Sequence, residues 1–157
     1  MERVNRILHN PIYRKYLEKI ESCEVDRIFC RHNMEHFLDV ARIAYIMVLE
    51  QGLKISKEVV YAIALLHDVG RWIQYEKGIP HEQASAELSK ELLDDSGFTA
   101  EEKKIILDGI ISHRKANDDI INNIIYDSDK LSRKCFTCKA SSLCNWSEDE
   151  KNLNLTY

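Results

Sequence analysis

Apolar residues recur about every 3.6 positions along most of the chain, and this spacing favours helices over strands. One stripe consists of the apolar residues Phe37, Val40, Ala41, Ala44, Met47 and Val48. Gly52 follows it as a suitable helix stop. A second stripe begins after Ser56, a good N-cap, and runs to His67. It is apolar on most of its surface, so we expect this helix to be central, with an end or a bend at Gly70.

Three more helices are predicted after this central one. The first ends near Gly97, and Thr99 and Glu102 then have the spacing of a capping box. The helix that they begin reaches His113, and the last helix covers roughly residues 118–134. One or two additional helices are expected in the first thirty or so residues. The pattern therefore predicts an all-α, single-domain helical bundle of about six or seven helices.

We divide the chain into an N-terminal helical segment packed on the core (1–29), a central domain (30–134) and a cysteine-containing C-terminal tail (135–157).

Composition and charge indicate where the protein works and which partners it binds. No stretch approaches the roughly 18 apolar residues of a membrane span, and the first residues lack the apolar run of a signal peptide. We therefore expect a cytoplasmic protein that does not bind membranes. The net charge of −4 argues against nucleic acid as a partner, but not against a small phosphorylated substrate.

Several ionisable residues stand next to strongly apolar ones. His36 precedes the first stripe, His67 and Asp68 end the second, and His113 and Asp129 lie close to isoleucines farther along the chain. A carboxylate near a core is costly unless it is paired or binds a metal. Because imidazole and carboxylate groups are usual ligands of divalent metals, the pattern indicates one shared cation.

The order of these residues resembles the HD-domain superfamily of metal-dependent phosphohydrolases. The neighbouring segments are similar as well, namely Glu35-His36-Phe37-Leu38-Asp39-Val40-Ala41, Ala64-Leu65-Leu66-His67-Asp68-Val69-Gly70 and Asp127-Ser128-Asp129-Lys130-Leu131. The similarity spans about residues 30–133, which is most of the chain. It implies an HD-type bundle.

The resemblance also implies a set of metal ligands, namely His36, His67, Asp68 and Asp129. HD proteins that hold two metals have two added histidines, and His81 and His113 stand in that part of the chain, with Asp68 as the bridging carboxylate. These two histidines could instead contact the substrate or lie on the surface beside a single ion. We therefore expect one or two divalent ions, such as iron, manganese or magnesium, and a metal-activated water as nucleophile.

Binding of phosphate requires positive charge near these ligands. Arg71, one turn past the His-Asp pair, and Lys130, next to the final aspartate, are the first candidates, while Arg114 and Lys115 follow. Asp68 is expected to orient the water in addition to binding metal. We therefore assign catalytic roles to Asp68, Arg71 and Lys130.

The two remaining histidines have weaker support. His32 lies four residues before His36, so the two could share a helix face. The resemblance fits His36 better, and we expect His32 on the surface. His9 has no supporting context.

Four cysteines form a separate candidate site. Cys135 and Cys138 are a C-x-x-C pair, and Cys144 follows. With Cys30 as a fourth ligand, and Cys23 as a poorer alternative, they could bind a structural zinc ion. The alternatives are reduced thiols or an iron–sulfur cluster, and their position after Asp129 raises a hypothesis of redox sensing.

Three functions are compatible with this sequence. The first is hydrolysis of a phosphate ester or anhydride, on a nucleotide or a related small metabolite, because six-ligand HD domains of this size resemble bacterial dinucleoside-polyphosphate hydrolases. The second is oxidation by a di-iron HD-domain oxygenase, which the same ligands could serve. The third is a non-catalytic nucleotide-sensing module, and the intact ligand set argues against it.

Overall fold

The computed structural model describes residues 1–157 and contains eight α-helices, two short 3₁₀-helices and no strand. The α-helices are α1 (Glu2–His9), α2 (Pro11–Cys23), α3 (Met34–Glu50), α4 (Lys57–Leu66), α5 (Arg71–Lys77), α6 (His81–Ser96), α7 (Ala100–Ser112) and α8 (Ile120–Leu131). The 3₁₀-helices are Cys135–Thr137 and Ser141–Leu143. The prediction of an all-α bundle is confirmed.

Helix α4 lies at the centre of the bundle, as its apolar surface predicts. It contacts α3 and α7 as well as α1 and α6, while α8 packs against α3. Fully buried side chains from these helices fill the core, including Phe37, Ile63, Leu65, Leu66, Ile106, Ile110 and Ile125. Burying each such side chain contributes about 1.5–3 kcal/mol, so this core is the main stabilising term of the fold.

The ends of the helices follow from local chemistry. The predicted capping box of α7 is present, with Thr99 and Glu102 each bonded to the backbone of the other. Gly97 ends α6 at a φ of 81°, a left-handed conformation that glycine adopts without strain. The Asn33 side chain caps α3 by accepting a hydrogen bond from the His36 N–H (3.0 Å). This cap places His36 in the first turn of α3.

The segment around Gly70 is both a bend and the start of a new helix. Helix α4 ends at Leu66, a turn covers residues 67–70, and α5, which the periodicity did not predict, follows. A Cβ on Gly70 would lie 2.4 Å from Ser85 N, because the backbone of α6 packs directly against this turn. Gly70 N also donates to Ser85 Oγ (2.9 Å). The turn that carries His67 and Asp68 is therefore fixed against the helix that begins with His81.

The remaining segments cover the bundle. In the segment 1–29, α1 contacts α4 and α6, and α2 contacts α5. None of the helices combines the length and the apolar character that crossing a bilayer requires.

Candidate metal centre

The structure brings all six predicted ligands together from five parts of the chain. The ligands lie at the start of α3, in the turn after α4, at the start of α6, after the last residue of α7 and near the end of α8. They form two groups, and within each group the donor atoms lie within 4.8 Å of one another. The first group is His36, His67 and Asp129, and the second is Asp68, His81 and His113. Two adjacent groups of three donors are suited to two ions.

Asp68 lies between the two groups. Its Oδ1 is 3.1 Å from His81 Nε2 and 3.8 Å from His113 Nε2. Its Oδ2 is 3.2 Å from His67 Nε2 and 3.8 Å from His36 Nε2. Because each oxygen faces a different group, this carboxylate is the one suited to bridging two ions.

Each of the four histidines is held through Nδ1 by an oxygen acceptor. The partners are the carbonyl oxygen of Ala64 for His67 (2.7 Å), the carbonyl oxygen of Ile110 for His113 (2.6 Å), Ser132 Oγ for His36 (3.0 Å) and Gln74 Oε1 for His81 (2.6 Å). Ser132 donates its own proton to the Asp129 carbonyl (2.7 Å), so it accepts from His36. We therefore assign the ring proton to Nδ1 in His36, His67 and His113, which leaves their Nε2 atoms available to a metal. His81 Nδ1 lies between an acceptor, Gln74 Oε1, and a donor, Arg71 Nη1 (2.7 Å), so it carries the proton only when Arg71 moves away.

Two donor atoms at the centre are buried without a hydrogen-bond partner. They are His67 Nε2 and Asp68 Oδ1, which belong to the two different groups. A buried polar atom without a partner costs about 1–3 kcal/mol, and a cation would satisfy both. The donor set of imidazole nitrogens and carboxylate oxygens fits a divalent ion such as zinc, iron or manganese.

The protonation states of the carboxyl groups and of His81 suit metal binding. Burial by itself would raise the pKa of both carboxyl groups, but His67 beside Asp68 and Arg133 beside Asp129 hold each pKa well below its usual value. Burial lowers the pKa of His81 to about 3. The carboxylates are therefore ionised and His81 is neutral near pH 7, as metal ligands must be. Burial by itself would lower the pKa of His67, but the Asp68 carboxylate beside it raises that pKa, so a metal at His67 Nε2 would displace a proton.

His32 belongs to the centre, and the expectation of a surface histidine is wrong. It is only 5% exposed, and its Nε2 lies 3.8 Å from Asp68 Oδ2. It lies in the loop before α3 and so shares no helix face with His36. Its Nδ1 is hydrogen-bonded to the Glu24 carboxylate, which also accepts from the His32 backbone N–H (2.8 Å) and from Tyr75 OH (2.6 Å).

Of the basic residues, the structure brings Arg71 but not Lys130 to the centre. Arg71 Nη1 lies 2.7 Å from His81 Nδ1 and 3.2 Å from Gln74 Oε1. The Lys130 ammonium is instead bonded to Tyr126 OH and lies 4.1 Å from the centroid of that ring, outside the cavity over the centre. The Lys130 side chain therefore does not reach the cavity, and the cationic group beside Asp129 comes from a residue just past the end of α8.

That residue is Arg133, which the sequence reasoning missed. It is buried, donates to Asp129 Oδ1 (3.1 Å) and lies 3.0 Å from His36 Nε2. The signal that could have found it is its position four residues after Asp129, within reach of that side chain just past the end of α8.

An open cavity of about 180 Å³ lies over the centre. Both aspartates reach its wall, and so do five cationic side chains, namely Arg27, Arg71, Arg114, Arg133 and Lys151. Phe29 and Trp146 add aromatic surface. The cavity is therefore suited to a small anion with an aromatic part.

The four cysteines of the candidate zinc site line the same cavity. Cys30 lies in the loop before α3, Cys135 and Cys138 flank the first 3₁₀-helix, and Cys144 follows the second. All four are partly buried and unpaired, whereas Cys23, at the end of α2, is exposed. No three of the sulfurs have the mutual spacing of under 4.8 Å that the two histidine–carboxylate groups have.

Comparisons with known proteins agree with this geometry. The family model described as HD domain matches residues 33–134. An uncharacterized protein from Clostridium beijerinckii is 45% identical over 157 residues, which cover all of both chains. The crystal structure of a predicted HD superfamily hydrolase from an uncultured Thermotogales bacterium is similar at a TM-score of 0.64 and 22% identity, covering 89% of this chain and 81% of that one. This last likeness shows a shared fold.

Proposed function

The chain belongs to the HD-domain family, and from this premise we propose that it is a metal-dependent phosphohydrolase. Its substrate is a phosphate ester or anhydride of a nucleotide or a related small metabolite. The observation that carries the proposal is the position of the two donor groups, joined by Asp68, at the wall of a cavity with five cationic side chains.

Asp68 and the histidines would hold one or two divalent ions. When bound, such ions supply Lewis acidity, which lowers the pKa of a coordinated water and offsets negative charge on the phosphoryl group. The contribution of the chain is to hold the ligands in place. The acceptors at each Nδ1 fix the rings, and Asp68, whose two oxygens face both groups, fixes the spacing between them.

The arginines at the cavity would bind the phosphate. Arg71 and Arg133 each lie within hydrogen-bond distance of a histidine of the centre, so a phosphate bound there stays next to the ligands. Guanidinium groups bind phosphate through two parallel hydrogen bonds, which orients it as well as holding it. Trp146 and Phe29 offer apolar surface on which a nucleobase can stack.

The two alternatives predict different results. A di-iron oxygenase could use the same ligands, but five cationic side chains favour a substrate with several negative charges. A nucleotide sensor would bind the same substrates without turnover. Phosphate release in the absence of oxygen therefore separates the hydrolase from both alternatives.

We expect the purified chain to hydrolyse members of a panel of nucleoside mono- and polyphosphates and dinucleoside polyphosphates when Mn²⁺, Mg²⁺ or Fe²⁺ is added, equally with and without oxygen. Released phosphate measures the first two classes, and chromatography of the nucleotide products measures the third. The Asp68→Ala variant should lose this activity because both donor groups lose their shared carboxylate, while its helical circular-dichroism spectrum stays unchanged. Asp95→Ala, at an exposed aspartate on α6, is the matched control and should remain active. Full activity in Asp68→Ala would overturn the catalytic assignment, and turnover only with oxygen would favour the oxygenase.

A further inference from the structure

Four of the five cysteines are gathered at one wall of the cavity although they come from distant parts of the chain. Cys30 precedes α3, and the other three follow α8, so the fold itself brings the two segments together. None is in a disulfide, and all four are partly buried. The proposed hydrolysis uses none of these thiols.

Two 3₁₀ turns place the three C-terminal cysteines, Cys135, Cys138 and Cys144, along the same cavity. Cys135 and Cys138 are separated by one 3₁₀ turn, in which the Cys138 N–H donates to the Cys135 carbonyl (3.1 Å). Side chains three residues apart eclipse each other in a 3₁₀-helix, so these two thiols share a face. A second 3₁₀ turn, closed by the Cys144 N–H and the Ser141 carbonyl (3.3 Å), returns the chain to the same cavity wall.

The charges around the thiols favour a bound cation. Cys30, Cys138 and Cys144 lie close enough to Cys135 that thiolates at these four positions would repel one another. A metal ion between them removes this repulsion. Lys151, which lines the same cavity, can offset the negative charge that four thiolates leave on a divalent ion.

We propose that Cys30, Cys135, Cys138 and Cys144 bind one zinc ion as a tetrathiolate site, separate from the histidine–carboxylate centre. Thiolates select zinc, whereas the mixed nitrogen and oxygen ligands of the centre accept harder ions. The sulfurs must move closer to one another to bind it. They can do so because all four lie in loops or short 3₁₀ turns rather than in α-helices.

Such an ion would fix one wall of the substrate cavity. Trp146 and Lys151 belong to the same C-terminal segment and line the cavity, and Asn152 Nδ2 ties this segment to the carbonyl oxygen of Leu131 (2.7 Å). A link from Cys144 to Cys30 would hold this segment against the loop before α3. The site is therefore structural, and it acts on the cavity through Trp146 and Lys151.

The experiment uses the full chain, stripped of metal under reducing conditions and loaded with Co²⁺. Tetrahedral tetrathiolate cobalt has intense visible bands and a thiolate-to-cobalt charge-transfer band, which cobalt bound by histidine and carboxylate lacks. We expect these bands in the wild type, in Cys23→Ser and in Asp68→Ala, and their loss in Cys138→Ser. Zinc content should fall by one ion per chain in Cys138→Ser but not in Cys23→Ser, and the thiolate-to-cobalt band should persist in Asp68→Ala, so the result does not depend on the function proposed for the centre.

A second measurement needs no variant. In the zinc-loaded wild type, an aromatic disulfide reagent should react quickly with one thiol, the exposed Cys23, and with all five cysteines after chelation. Equal reactivity before and after chelation, or equal zinc content in Cys138→Ser and Cys23→Ser, would overturn the proposal. Acid-labile sulfide with bound iron at these cysteines would also overturn it, in favour of an iron–sulfur cluster.

Discussion

At the residue scale, Glu24 acts on the centre although it is not a ligand. It holds the His32 ring beside Asp68 through two hydrogen bonds, one to the ring and one to the backbone N–H. Burial by itself would raise the pKa of Glu24, but the His32 and Tyr75 hydrogen bonds lower it to about 2, so the carboxylate is ionised at neutral pH. An ionised acceptor orients an imidazole more strongly than a neutral one.

We therefore predict that Glu24→Gln lowers the affinity for divalent metal or the kcat/KM about 10- to 100-fold, the usual effect of removing a group that orients a site. Metal titration by calorimetry and phosphate release measure the two quantities. Glu21→Gln, at an exposed glutamate in the last turn of α2, is the control and should match the wild type. Wild-type values in Glu24→Gln would show that His32 needs no charged partner.

The sequence predicts individual residues where their position relative to an apolar stripe is informative. His36 and the His67-Asp68 pair adjoin such stripes and stand in an order that resembles a known family. His32 and Arg133 adjoin none. Their burial depends on Glu24 at the end of α2 and on the meeting of α3 with α8, which are tertiary contacts that no local pattern encodes.

At the element scale, the turn between α4 and α5 determines where the His-Asp pair lies relative to α6. A Cβ at position 70 would lie 2.7 Å from the carbonyl carbon and the Cβ of Ala84, in addition to its clash with Ser85 N. Backbone atoms of a helix cannot yield as the end of a flexible side chain can. An added methyl group must therefore push the turn away from α6.

Gly70→Ala should lower the free energy of unfolding by about 1–3 kcal/mol, the usual cost of overpacking, and should weaken metal binding by separating Asp68 from His81. Urea unfolding and metal titration test the two effects. Gly109→Ala is the comparison, since its Cβ would meet only side-chain atoms of Ile63, at 3.0 Å, and alanine is the better helix former. If both variants unfold at the same urea concentration, the steric account of Gly70 is wrong.

Elements were predictable from the sequence where the periodicity is long and a cap marks the end. The capping box of α7 and the stop at Gly97 agree with the structure. Helix α5 was not predicted because its seven residues are too few to show a period. Helix α8 ends at Leu131, earlier than the predicted 134, because a helical pattern does not specify where fraying begins.

At the scale of the whole molecule, the centre is the place where donors from five separate segments of the chain meet. Helices α3, α6 and α8, the turn after α4 and the residue that follows α7 each bring at least one donor to it. An ion bound there stabilises the folded state selectively, because the unfolded chain does not hold these donors together. The stabilisation grows with the free metal concentration and amounts to about 2.7 kcal/mol at a hundred times the Kd.

Loss of metal from the centre should therefore lower the Tm of the wild type by roughly 5–11 °C, from the usual 2–4 °C per kcal/mol for a chain of this size. After chelation, readdition of Mn²⁺ or Fe²⁺ should restore this part of the shift, while the part that belongs to the cysteines should need zinc. Differential scanning calorimetry in each metal state measures the shift. Running it in the Cys138→Ser variant separates the two sites, since the response to Mn²⁺ should persist there and disappear in Asp68→Ala. A wild-type Tm that is the same with and without metal would mean that these buried imidazoles and carboxylates satisfy one another without an ion.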